Sequence, residues 1–335
     1  MLIKHIPEDF VVEEITNVKA KKKGRYCYFW LEKKNKNTQD AVEEAARALR
    51  VKKIGFAGAK DKKAITRQLC SAENVRKEMI ERVKLSGIKL IFYGYGDEPI
   101  SLGDLDGNAF QIVVRDVDAD IKVKKINSIV NYFDEQRFSE NNVEIGKAIV
   151  KKNFKKAVEL IAHGEGRYNV HVKEFNAKSK TNFIGALRLI PLKTLKLFVH
   201  SYQSWLWNET VEQLIEKSVR FKRVAYSQGQ LAFPLGQMKK RKVPLIGFDA
   251  DVKDKVKHII DELMKRENIV FRDFIIREIP ELSSEGTERE MIAAVKKFSF
   301  RVEDDEMFAG RKKVMLRFCL QKGSYATMVV KMLFS

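Results

Sequence analysis

The run Gly55-Phe-Ala-Gly-Ala-Lys-Asp-Lys-Lys-Ala-Ile-Thr-Arg-Gln68 sets one carboxylate, Asp61, among Lys60, Lys62 and Lys63 in a turn-rich segment. Gly55, Gly58 and Lys60 suggest a phosphate-cradling loop at first sight. The match fails: such a loop needs Gly-Lys followed by Ser or Thr, whereas Ala59 precedes Lys60 and Asp61 follows it. A carboxylate there would repel phosphates. Nearby positive charge favours the ionised form, so Asp61 is expected to stand as an anion, suited to a nucleophile or base. Taken alone, an Asp in such a position is more often a turn or N-cap residue.

The rest of the composition narrows the chemistry by exclusion. None of the five histidines forms a metal-ligand pair at helical spacing. A zinc deaminase, which needs His-x-Glu together with Pro-Cys-x-x-Cys, is excluded because the sequence has no Cys-x-x-Cys. Cys27, Cys70 and Cys319 lie far apart and leave one over, which points away from a disulfide framework and towards a reducing, cytoplasmic setting. Neither an export signal nor an apolar run long enough for a membrane span is expected. Against 45 Asp+Glu stand 64 Lys+Arg, a net charge of +19, the sign expected of a protein whose partner is a polyanion.

Five segments in order resemble the TruD family of tRNA pseudouridine synthases. The Gly55–Gln68 string is the longest and most specific. Pro7-Glu-Asp-Phe-Val-Val-Glu-Glu14, Gly107-Asn-Ala-Phe-Gln-Ile-Val-Val-Arg115, Asn131-Tyr-Phe-Asp-Glu-Gln-Arg-Phe138 and Gly323-Ser-Tyr-Ala-Thr327 are the others. The resemblance implies Asp61 as the catalytic carboxylate. It also implies Phe10, Asn131, Phe133 and Tyr325 as substrate-binding residues, with Lys4 at the place of a basic residue near the pocket. Without it, Phe10, Phe133 and Tyr325 would be read as core aromatics, and Asn131 and Arg137 as ties at a helix end. One departure is Gln321-Lys322-Gly323, where the family often has Pro before x-Gly. His200–Asn208 is similar to a helix of the family's inserted domain, and Glu285–Arg289 to the segment leading out of it.

These residues need a frame. Residues 2–16 and 25–32 read as strands, the second with both faces buried. Asn37-Thr38 caps a helix carrying Ala41, Ala45, Ala46 and Leu49. Further strands are predicted over 64–70, 88–95, 109–115 and 314–320, and a helix over 121–133. From about 147 to 220 the pattern is mainly helical, and Lys147–Lys180 holds nine Lys/Arg against three Asp/Glu, either a solvated face or a surface for RNA phosphates. The expected fold is α+β: a pseudouridine synthase core with a mixed, largely antiparallel sheet flanked by helices, and an inserted, mainly helical TruD-type domain. The expected limits are 1–140 with 298–335 for the core and 141–297 for the insertion.

Pseudouridylation involves no net redox change or hydrolysis, so no cofactor and no metal are expected. The expected partner is tRNA, through uridine 13 of the D arm by the resemblance, acted on by a monomer without membrane or small-molecule cofactor. Two other classes fit parts of the sequence. A non-catalytic RNA-binding protein would share the charge and aromatics without needing Asp61. A nucleotide-dependent phosphotransferase would explain the glycines but lacks the Ser or Thr after Lys60.

Overall fold

The computed structural model describes residues 1–139, 141–164 and 168–334. Residues 1–129, 293–326 and 334 make one compact unit, and residues 130–292 and 327–333 another. In chain order the elements begin with β1 (Leu2–Ile3), β2 (Phe10–Ile15), β3 (Tyr26–Lys34), α1 (Thr38–Leu49), β4 (Ile54–Phe56), β5 (Ile65–Glu73), α2 (Lys77–Arg82), β6 (Ile88–Gly96) and β7 (Gly107–Val117). There follow β8 (Ser128–Val130), α3 (Asn142–Val150), α4 (Phe154–His163), α5 (Asn169–Lys178), α6 (Phe183–Leu187), α7 (Leu192–Glu216), β9 (Phe221–Tyr226), β10 (Gly229–Pro234), β11 (Lys242–Leu245), α8 (Asp254–Glu267), β12 (Thr287–Glu290) and β13 (Ile292–Ala294). The chain closes with β14 (Lys296–Asp304), β15 (Lys312–Gln321) and α9 (Ala326–Phe334).

The first unit is built on one sheet of order β14-β15-β7-β2-β5-β3-β6, with β1 on β7 and β4 on β5. Strand β2 runs parallel to β5, and the other described pairs of this sheet are antiparallel. This is the mixed, largely antiparallel sheet flanked by helices that the family resemblance implies. Alternation along β3 explains its two burials. Cys27, Phe29 and Leu31 face Ala41, Val42, Ala45 and Leu49 of α1, while Tyr28 packs with Ala57, Leu69 and Ile100. Each large side chain so buried contributes about 1.5–3 kcal/mol. Helix α1 starts where the Asn37 side chain accepts the Asp40 N–H at 2.8 Å, and stops at Arg50, which turns left-handed at φ 55°. At Gly55 a side chain would have no room, because a Cβ would lie 2.3 Å from the Ile100 carbonyl oxygen.

Two expected elements differ. The strand expected over 2–16 is broken: Lys4 is left-handed at φ 56°, and Pro7–Asp9 forms a 3-10 turn before β2. Pro7 at the first position of that turn has no N–H to give to a ladder. The helix expected over 121–133 is absent. Residues 121–127 are irregular and β8 follows, with the Asn127 carbonyl taking the Val295 N–H at 2.8 Å. Ile121, Val123, Ile126, Ile129 and Val130 are β-branched and lose side-chain freedom in a helix, and backbone pairing to a distant segment tips the balance.

In the second unit α7 carries Glu209, Glu212 and Glu216 on one side, facing Arg223 and Arg266. Burial, then the two neighbouring glutamates, push the Glu212 carboxyl up to about 7 against the pull of the arginines. The fold therefore binds this proton more tightly than the unfolded chain does, and loses stability as pH rises from the ordinary glutamate range through about 7. Glu212→Gln is expected to raise stability by about 1–3 kcal/mol at pH 8, a gain that shrinks towards pH 5. Melting curves at both pH values check it, and an equal or lower melting temperature for the variant at pH 8 would refute it.

Candidate active site

Asp61 lies in the loop joining β4 to β5, and buried side chains hold that loop by its main chain. Thr38, at the first turn of α1, accepts the Lys60 N–H at 2.8 Å and donates to the Lys60 carbonyl at 3.3 Å. The buried Gln68 amide donates to the Gly58 carbonyl at 3.2 Å. Lys33 of β3, itself buried, donates to the Asp61 carbonyl at 2.7 Å. Lys60 points inward and pairs with Glu14 of β2 at 2.8 Å, the two side chains being 5% and 0% exposed. A buried pair of that kind persists only with good geometry and further hydrogen bonding, here from the Leu69 N–H to Glu14 at 3.4 Å.

The cation on Asp61 is not one of its sequence neighbours. Lys4 Nζ lies 2.9 Å from Asp61 Oδ1, with both side chains partly open to solvent. Lys62 and Lys63 are exposed, and Lys60 is committed to Glu14. The left-handed turn at Lys4 brings its ammonium over the Phe10 ring, 4.1 Å from the centroid, as well as onto Asp61. Phe10 opens β2 and is buried, edge-on to Phe110. Asp61, Lys4 and Phe10 therefore form one cluster. Tyr325 belongs to the same unit, half-buried in the turn after Gly323, where φ is 78°.

Asn131 and Phe133 belong to the second unit and are brought together there. The Asn131 amide donates to the Glu290 carbonyl at 3.0 Å, and its Oδ1 and main-chain oxygen accept from Arg289 at 2.9 and 2.8 Å. The same guanidinium lies 4.0 Å from the Phe133 ring centroid, and Trp207 meets that ring edge-on at 5.6 Å. Asn208 clamps the Phe133 backbone from both sides, accepting its N–H and donating to its carbonyl, each at 2.9 Å. Arg137 donates to Ser204 at 3.3 Å. Among the described residues no group of three or more His, Cys, Asp or Glu is placed to hold a metal ion. No helix of the described residues is long and apolar enough to cross a membrane.

The family profile described as "tRNA pseudouridine synthase D (TruD)" matches residues 1–171, 164–240 and 225–333. The chain belongs to the TruD family. A Methanosarcina acetivorans protein named "Probable tRNA pseudouridine synthase D" is 30% identical, over 97% of this chain and 90% of its own length. The "tRNA pseudouridine synthase D" of Aquifex aeolicus is 29% identical, over 99% of this chain and 97% of its own. A crystal structure from Methanosarcina mazei described under the TruD name superposes with a TM-score of 0.72 at 26% identity, covering 99% of this chain and 93% of that one. The chain is thus an isomerase of the pseudouridine synthase class with the fold of that family.

Within that family frame, four residues of structural weight carry no role in the motif reading: Glu14, Lys33, Asn208 and Arg289. Lys33 had a usable signal. It continues the inward phase of Cys27, Phe29 and Leu31, and a lysine on the core side of a strand calls for a reason. Glu14 lies within a quoted motif, but nothing in the spacing reveals that it meets Lys60. Arg289 and Asn208 are likewise paired only through tertiary contacts.

Proposed function

We propose that the protein converts uridine to pseudouridine in tRNA, at uridine 13 of the D arm, with Asp61 as the reacting carboxylate. The observation that carries this reading is the loop of Asp61. Its backbone is gripped by Thr38, Gln68 and Lys33, while its carboxylate stays partly open and meets the Lys4 ammonium. A reacting group held on a rigid frame and reachable from outside is what attack on a flipped base requires. In the reaction the N1–C1′ bond breaks, the uracil turns, and a C5–C1′ bond forms. The C5 hydrogen leaves as a proton and N1 takes one up, so no oxidant or water is consumed. Asp61 acts at C1′, at C6, or on a sugar proton towards a glycal; each route needs the carboxylate free of its own proton.

Phe10, Phe133 and Tyr325 are proposed to contact the extruded uracil, and Asn131 the RNA, with one amide proton still to offer, among the described residues, beyond its bond to Glu290. Stacking on aromatics is worth about 1–3 kcal/mol per base, enough to offset much of the cost of extrusion. Residues 1–140 with 298–335 are proposed as the catalytic core and residues 141–297 as the insertion, in a cytoplasmic monomer that needs no cofactor.

The direct test is to incubate the pure protein with an unmodified tRNA transcript in buffer containing EDTA and map the pseudouridines. One new pseudouridine, at position 13, is expected, and none in a transcript carrying cytidine there. Modification elsewhere would refute the position. Tight tRNA binding without any product would leave an RNA-binding protein.

A further inference from the structure

Lys33 is among the largest fully buried side chains, 1% exposed, at the end of the apolar phase of β3. Its neighbours across the sheet are Thr66 and Ile88. Among the described residues it forms no ion pair; its ammonium donates to the main-chain carbonyls of Asp61 at 2.7 Å and Lys60 at 3.5 Å. An ammonium in such a place is costly, and an apolar side chain of the same length would fill the volume more cheaply. What the charge supplies is a hold on two successive peptide planes. With the Asp61 carbonyl held towards the Lys33 ammonium, planarity of the trans peptide turns the Lys62 N–H the opposite way.

We propose that Lys33 is a positioning residue for Asp61: by clamping the Lys60 and Asp61 carbonyls with a buried positive charge it fixes the orientation in which the carboxylate reacts. The inference rests on Asp61 being the reacting carboxylate. The charged groups facing Lys33 are Asp61, itself paired with Lys4, and Lys60, paired with Glu14; the neutral Thr38 and Gln68 hold the same loop. Burial, and secondarily Lys60, pull the Lys33 ammonium down to about 8 against the attraction of Asp61. The clamp therefore loses its charge within a range of pH that the enzyme can be assayed in.

The test is the single-turnover rate of pseudouridine formation from pH 6.5 to 9.5, with tRNA affinity and melting temperature measured alongside, for wild type, Lys33→Met, Lys33→Arg and Asp61→Asn. Wild type is expected to slow about tenfold between pH 7.5 and 9.5. Lys33→Met is expected to be slower by about 100-fold at pH 7, with tRNA affinity changed less than threefold and no alkaline fall left. Lys33→Arg, charged throughout, is expected to recover part of the rate and also to lose the fall. A wild-type rate flat to pH 9.5 overturns the inference, and this needs no variant to fold. So does a folded Lys33→Met within threefold of wild type, or one that keeps the alkaline fall. An inactive Asp61→Asn beside a normal Lys33→Met removes Lys33 alone, whereas an active Asp61→Asn removes the catalytic reading on which it rests.

Discussion

Replacing Asp61 by Asn is expected to abolish pseudouridine formation, slowing it by at least about 10⁴-fold, while leaving tRNA affinity and melting temperature nearly unchanged. Asn keeps the shape of the side chain and an oxygen facing Lys4, but it cannot attack carbon or take a proton as a carboxylate does. A 10⁴-fold loss corresponds to about 5.4 kcal/mol of barrier, more than a partly exposed ion pair contributes to folding. The fold should survive because Thr38, Gln68 and Lys33 grip the loop through its backbone, which the substitution does not touch. Residual activity within about tenfold of wild type, a barrier change under roughly 1.4 kcal/mol, would end the assignment of Asp61 as the reacting group.

The second large effect is expected at Arg115, on stability. Its guanidinium, 5% exposed on β7, donates to Asp9 and to Asp305, each at 2.9 Å, and to the more open Glu306 at 3.0 Å. Burial alone would raise the Asp305 carboxyl. Hydrogen bonds from the Asp116 and Met307 N–H groups and from Arg115 outweigh it and hold Asp305 below the ordinary carboxylate range. Arg115→Met removes the cation and leaves two buried carboxylates facing each other's charge, at a cost of about 3–5 kcal/mol. A depressed carboxyl contributes stability above its unfolded value and loses it as pH falls through the folded one, so wild type should weaken below about pH 4 and the variant should lose less over that interval. Denaturation midpoints at pH 7 and pH 3.5 check both statements; a loss under about 1 kcal/mol at pH 7 would show that the cluster is not what holds this corner. Asp9 also accepts the Ile6 N–H at 3.1 Å and immediately precedes Phe10, so the variant should lose activity along with stability.

How far the molecule was legible before its structure can be judged element by element. The Asn37 cap, the alternation of β3 and the break at Gly323 are local, and local chemistry reports them faithfully. Asp61 was legible through its long string. Its electrostatic setting was not: Lys60 looks like its partner in sequence, yet points inward to Glu14, and the ammonium it meets arrives from Lys4 by way of a left-handed turn. Contacts spanning 57 residues leave no periodicity to read. Residues 121–133 mislead for a related reason, since an apolar spacing compatible with a helix is overridden by β-branching and by a backbone partner at Val295.

The sheet order carries a consequence for how the molecule is made. Strand β7 pairs with β2 on one side and, from Gly107 opposite Gln321 to Val117 opposite Lys312, with β15 on the other. Nearly two hundred residues separate the end of β7 from the start of β15, which a ribosome takes roughly 10 to 40 s to translate. During that interval the strand beside Phe10 presents an unpaired edge, the kind of surface that recruits other chains. A nascent chain stalled before residue 312 would hold every residue of the Asp61 cluster and still lack the complete sheet to set it in. Such a product should be a target for chaperones rather than a slow enzyme.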